Sequence, residues 1–158
     1  MQDALSQRLA VLNEKKQQVD GDMHSWVEDV DSLYAAATQW LAAEAEGGIL
    51  RLIPQSAEVR ESNSEAYSMR QLAIQLDAGP LLLLVPRGRN VVGAVLKHGG
   101  RISNARGRVD LVNFEDRRAL GFFRGHNGQW FIPTPDAKDP WAELDKDRFR
   151  AAMASLLQ

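Results

Sequence analysis

Apolar residues near the start of the chain recur at alternating steps of four and three. The series runs Leu5, Leu9, Leu12, Lys16, Val19, Met23, Trp26, Val30, Leu33, Ala37 and Trp40. Lys16 is its only polar member. A period of 3.5 residues held over about five heptads is typical of a coiled-coil helix. The pattern therefore predicts a long N-terminal helix, which ends at the glycines of "EGG", residues 46–48.

A second apolar row, Val27, Tyr34 and Leu41, widens this face only in the later part of the helix. A wide face suits packing on a globular body, whereas a narrow two-per-heptad face suits another helix. We therefore expect residues 1–46 to act as an assembly segment and residues 47–158 to form the body. The predicted protein interface, here called the N-terminal seam, consists of Leu5, Leu9, Leu12, Lys16, Val19 and Met23. Its expected partner is a second copy of the chain or a helical partner protein.

The segment "VDGDMHS" around Gly21 supports an alternative, in which the helix breaks and folds back as a hairpin. Glycine inside a helix costs about 1 kcal/mol relative to alanine. The nearby "SWVE", residues 25–28, matches a capping box that starts a helix. The heptad phase nevertheless continues through Gly21, which favours one continuous helix.

Strand-like runs separated by short turns fill the middle of the chain. They are "RQLAIQL", "LLLLVP", "VVGAVLK", "RVDLVNF", "RALGFF" and "QWFIP". Leu72, Ile74 and Leu76 alternate with polar residues, so all three should lie on one covered face. Because parallel strands need longer crossovers, the short links predict an antiparallel meander of six to eight strands.

A C-terminal helix is predicted to cover this sheet. Asp139 is the expected N-cap and Pro140 the first helical residue. The expected buried stripe is Trp141, Leu144, Phe149, Ala152, Met153 and Leu156. The predicted fold class is thus α+β: a coiled-coil-like N-terminal helix, an antiparallel meander and a C-terminal capping helix.

Charge is unevenly distributed along the chain. Residues 1–80 carry 6 Lys/Arg and 13 Asp/Glu, a net charge of 6 − 13 = −7, whereas residues 81–124 carry 9 and 3, a net of 9 − 3 = +6. If residues 101–103 form a strand, the turns at 87–90, 104–107 and 125–128 share one end of the sheet. That arrangement gathers Arg87, Arg89, Arg106, Arg108 and Arg124, here called the arginine edge, as a candidate anion or nucleic-acid site.

Three other interpretations of the arginine edge remain open, and the simplest is a solvated set of charges that protects the edge of the sheet. If residues 98–107 form one long loop, the turns alternate differently and the cluster breaks up. The arginines could also match acidic residues of the protein itself, namely Glu28, Asp29 and Asp31, or those of another subunit.

Candidate catalytic chemistry is sparse. The chain has no cysteine, which excludes disulfides, thiolate zinc sites and thiol nucleophiles. His24, His98 and His126 show no metal-ligand spacing, and no catalytic, cofactor-binding or metal residue is predicted.

The expected function is therefore a non-catalytic interaction or assembly protein. An accessory subunit, adaptor or inhibitor-type partner in a bacterial-style system fits this description. Binding of nucleic acid or a phosphate ligand through the arginine edge is the alternative, and an enzyme of unknown reaction is the second alternative.

A cytoplasmic location without membrane contact is expected. The start of the chain lacks the basic and apolar blocks of a secretory signal. The longest apolar run, "LLLLV" at 81–85, is far shorter than the roughly 20 residues that a membrane-spanning helix needs.

Overall fold

One uninterrupted helix forms the N-terminal region of the computed structural model, which describes residues 3–61, 65–91 and 93–158. Helix α1 spans Ala4–Trp40 and passes through Gly21, so the hairpin alternative is not formed. Its N-cap, Asp3, accepts a hydrogen bond from the backbone N–H of Ser6 at 2.8 Å. A short helix, α2 (Ala42–Glu46), follows and leads into the predicted glycine stop.

Nine strands follow α2 among the described residues. They are β1 (Leu50–Val59), β2 (Tyr67–Leu76), β3 (Leu81–Gly88), β4 (Val95–His98), β5 (Arg101–Asn104), β6 (Arg108–Asn113), β7 (Ala119–Arg124), β8 (Trp130–Pro133) and β9 (Trp141–Glu143). Seven form one antiparallel sheet in the order β1-β2-β3-β6-β7-β8-β9, which lies within the predicted range of six to eight. The hairpin β4–β5 forms a separate two-stranded sheet. The α+β prediction is confirmed.

Strand β1 lies outside the runs that the sequence pattern indicated. It contains Pro54 and buries only Leu50 and Val59. Proline lacks a backbone N–H and cannot donate a hydrogen bond to a neighbouring strand. Because β1 is an edge strand that pairs only with β2, Pro54 is accommodated there.

The main core lies between α1, α3 (Lys146–Leu156) and the inner face of the seven-stranded sheet. Leu72 and Ile74 are buried there and Leu76 packs against the same cluster, as the alternation predicted. The helix side contributes Trp26, Val30, Leu33, Tyr34 and Ala37. Hence α1 is attached to the sheet only from about Met23 onward.

The outer face of the sheet is covered in part by the β4–β5 hairpin. Leu96 and Ala105 pack there with Phe123 and Phe131. Trp141 meets Phe123 edge-on, with ring centroids 5.1 Å apart. The run "VVGAVLK" therefore contributes a strand to this cover and not to the meander.

The C-terminal helix begins later than predicted. Its N-cap is Asp145, whose carboxylate accepts from the N–H of Arg148 at 2.8 Å, so the assignment of Asp139 and Pro140 was wrong. Trp141 belongs to β9, which pairs with β8. Its indole N–H donates to the carbonyl of Val95 at 2.8 Å. Pairing with β8 and packing on the hairpin thus override the local helix-start signal.

Candidate interaction surfaces

The N-terminal seam is exposed along the part of α1 that precedes the sheet. Leu5 is 65% exposed, Leu9 56% and Leu12 61%. Lys16 is also exposed, and Met23 is half-buried against the core. The side chain of Val19 lies outside the described residues. The structure thus presents three leucines to solvent on one face of a regular helix.

A network of polar groups around the buried Glu61 side chain holds α1 where it meets the sheet. Arg89 donates to Asp22 of the helix at 3.0 Å and to Glu61 at 3.1 Å. The Glu61 side chain is only 2% exposed and also accepts from the backbone N–H groups of Arg89 and Asn90. On the helix, the indole N–H of Trp26 donates to the Tyr67 hydroxyl at 3.0 Å.

The ionisation of this network follows from its contacts. Burial alone would raise the pKa of Glu61, but hydrogen bonds from Arg89 and Tyr67 outweigh burial, so the pKa lies below its ordinary value. Burial, reinforced by the neighbouring Glu61 carboxylate, raises the pKa of Tyr67 to about 12. Glu61 is therefore ionised, and Tyr67 neutral, at physiological pH.

Trp26 packs closely against the sheet backbone. Gly107 has φ +156°, and a Cβ at this position would overlap the six-membered ring of Trp26. On its other sides the indole is 6.2 Å from the ring of Trp130 and 5.6 Å from the guanidinium of Arg124. The free part of α1 therefore starts from a closely packed attachment.

The five residues of the arginine edge lie at one end of the sheet. Residues 101–104 form a strand, Gly88 pairs with Arg108, and the backbone N–H of Arg106 donates to the carbonyl of Arg124. They do not share one face. Arg89 and Arg124 face α1, whereas Arg87 and Arg108 project on the outer face with Asp110.

Most of this positive charge is matched within the chain. Arg124 pairs with Asp29 at 2.7 Å, and Arg87 pairs with Asp110 at 3.0 Å. Arg108 shares the carboxylate of Asp110, and Arg89 pairs as described above. Of the three acidic residues named from the sequence, Asp29 takes part in this edge, while Glu28 pairs with His24 within the helix. Within the described parts of the chain, Arg106 makes no ion pair.

Sequence reasoning missed the acidic partners Asp22, Glu61 and Asp110. Asp110 carried a usable signal, because an acid between apolar residues in a strand such as "RVDLV" needs a counter-ion when it is buried.

His98 and His126, which are distant in sequence, both line one open groove beside the β4–β5 hairpin. Among residues 3–61, 65–91 and 93–158, no cluster of His, Asp or Glu is arranged to hold a metal ion.

No known protein family matches the chain, and neither a curated protein nor a solved structure is detectably similar to it. None of the helices in the described part of the chain combines the length and apolar character needed to cross a lipid bilayer.

Proposed function

We propose that this protein is a non-catalytic interaction protein that assembles with a second helix through its N-terminal seam. The observation that carries the proposal is the exposure of Leu5, Leu9 and Leu12 on a helix that continues beyond the sheet. Its role is that of an accessory subunit, an adaptor or an inhibitor-type partner. We place it in the cytoplasm, a reducing compartment that suits a chain without cysteine.

The energetics of the free helix support this proposal. Residues 4–22 extend about 28 Å at 1.5 Å per residue. In proteins, packing of an apolar face supplies most of a helix's stability. Burying a leucine side chain contributes about 1.5–3 kcal/mol relative to leaving it exposed. A partner helix on the seam therefore stabilises both the segment and the assembly.

The pattern of exposure favours a helical partner over a globular one. The seam offers two positions per heptad, the width of a coiled-coil interface. Beyond Met23 the same helix adds Val27 and Tyr34, with Leu41 at its C-cap, and there it packs on the sheet. The narrowing of the apolar face coincides with the point at which the sheet ends its contact with α1.

Sedimentation of the full chain over a range of concentrations tests the proposal. Leu12→Glu places a charge in the seam, whereas Val11→Glu is the matched control. Val11 is also apolar and is 50% exposed, but it lies about 100° around the helix from Leu12. We expect the wild type and Val11→Glu to associate with rising concentration, and Leu12→Glu to remain monomeric with an unchanged near-ultraviolet circular dichroism signal from the buried Trp26 and Trp130.

Two results would overturn the proposal of self-association. One is a wild type that stays monomeric at every concentration. The other is an equal effect of the two glutamate substitutions, since that would place the contact off the seam.

Polyanion binding by the arginine edge is the second candidate function. It is favoured by the convergence of the basic turns at one end of the sheet. The carboxylates of Asp22, Asp29, Glu61 and Asp110 already engage four of the five arginines, so it ranks below assembly.

A further inference from the structure

The sheet lies on the same side of α1 as the exposed leucines. Trp26 is 21 residues, or three heptads, beyond Leu5. A straight helix drifts about 20° per heptad, so the two side chains point within about 60° of each other. Trp26 is fully buried against the sheet and Leu5 is open to solvent. A helix that binds the seam must therefore end where the sheet begins.

This arrangement restricts how two copies can pair. Paired helix axes lie about 8–10 Å apart. In a parallel pair both sheets would occupy the narrow space between the helices beyond Met23, which would force the helices apart. In an antiparallel pair each helix runs towards the partner's sheet and stops there, and the two sheets lie at opposite ends.

Charge along α1 points to the same orientation. Residues 4–18 carry Arg8, Lys15 and Lys16 against one acid, Glu14, a net charge of 3 − 1 = +2. Residues 19–23, which complete the segment that precedes the sheet, carry two acids and no Lys or Arg, a net of −2. An antiparallel pair brings the positive part of each helix against the negative part of the other, whereas a parallel pair aligns like charges.

We infer that two copies pair antiparallel through residues 4–23, with Leu5 opposite Met23 and Leu12 opposite Lys16 of the other copy. This inference rests on the proposed function. In this register Arg8 lies beside Asp22 of the other copy, once at each end. The Asp22 carboxylate keeps acceptor capacity, because its side chain is 54% exposed while it binds Arg89.

The same register explains Lys16. In a parallel, in-register pair the two lysines would meet at one core position, at a cost to stability. Antiparallel pairing places Lys16 opposite Leu12, where the aliphatic stem can pack and the ammonium group can reach solvent. The two Lys15 side chains meet near the symmetry axis. That repulsion is weak, because both are exposed and screened by salt.

Disulfide trapping tests the orientation, because the wild-type chain has no cysteine. Leu5→Cys and Met23→Cys are prepared in the full chain, oxidised separately and as a mixture, and digested for mass spectrometry. The two positions are about 27 Å apart along one helix, whereas a disulfide needs Cα atoms within about 7 Å. We expect a cross-link between residues 5 and 23 in the mixture as the main dimeric species, and little cross-linking in either variant alone.

Each other outcome decides against the inference in a different way. A cross-link between two copies of Leu5→Cys shows parallel pairing and overturns it. A dimer that depends on Leu12 but forms no cross-link between residues 5 and 23 also overturns it, yet keeps the proposed function. A wild type that is monomeric in sedimentation removes this inference and self-association together, and leaves a helix of another protein as the partner of the seam.

Discussion

Arg124 on β7 donates from its Nε to the carboxylate of Asp29 on α1 at 2.7 Å, and only 7% of the arginine side chain is exposed. The same guanidinium donates to the carbonyl of Arg106 at 3.0 Å and lies over the ring of Trp26. A residue of the arginine edge is thus part of the attachment between helix and sheet.

Asp29→Ala should destabilise the protein strongly, because it leaves the guanidinium of Arg124 buried without its counter-ion. Breaking a buried pair costs about 3–5 kcal/mol, and we expect the lower end because Asp29 is 26% exposed. Urea unfolding measures the loss. Asp31 is exposed and lies two residues further along the helix, so Asp31→Ala is the control. Its free energy of unfolding should stay within about 0.5 kcal/mol of the wild-type value. Equal effects of the two substitutions would refute the assigned role.

Gly107→Ala should lower the free energy of unfolding by about 1–3 kcal/mol, the usual cost of overpacking. The added methyl overlaps the ring of Trp26 and must displace the indole or the strand. Gly48→Ala is the matched control, since its φ is also positive but no atom lies within 4 Å. Thermal unfolding compares the two, and Gly107→Ala should also change the tryptophan fluorescence. An unchanged spectrum would contradict the packing described here.

Gly21→Ala should stabilise α1 by about 1 kcal/mol, because alanine loses less backbone entropy in a helix and no atom lies within 4 Å of the added Cβ. Circular dichroism and sedimentation measure helicity and association, and both should rise or stay constant. A loss of helicity or of association would show that the chain needs a bend at this position.

Glu61→Gln should destabilise the protein most at neutral pH. The pKa of Glu61 is lowered in the fold, so its stabilising contribution is fully present above the ordinary pKa of 4.5 and is lost as pH falls through the lowered value. The difference between wild type and variant in urea unfolding should therefore shrink under acidic conditions. A difference that does not change with pH would contradict an ionised Glu61.

Asp110→Asn should increase affinity for polyanions, since it removes the carboxylate shared by Arg87 and Arg108. A mixed-sequence nucleic acid, titrated at low and moderate salt, is the probe. We expect weak binding of the wild type that disappears at moderate salt, and tighter binding of the variant. Tight, salt-resistant binding of the wild type would instead give the arginine edge the leading role.

The features predicted correctly from the sequence are those that repeat along the chain. The heptad series determines α1, and the alternation around Ile74 places β2 on the core. The start of α3 could not be predicted, because Asp139 with Pro140 and Asp145 both provide local cap signals. The choice depends on pairing between Phe131 and Glu143, which brings β9 to the edge of the sheet.

The acidic partners of the arginine edge depend on strand register. Arg87 and Asp110 are 23 residues apart, and they meet only because β3 pairs with β6 across an intervening hairpin. Arg89 and Asp22 are 67 residues apart and require the helix to cross the end of the sheet. Net charge by segment indicated either an anionic partner or a match within the protein, and it could not identify the pairs.

Because α1 is attached to the sheet at Trp26, a change in its angle at that point displaces its N-terminal end. From Met23 to Leu5 the free arm is about 27 Å long, so a tilt of about 10° at its root would sweep the tip sideways by about 5 Å. That displacement is comparable to the width of a side chain. A small rearrangement among Glu61, Arg89 and Asp22 would therefore move the Leu5 end of α1 far enough to misalign a partner helix.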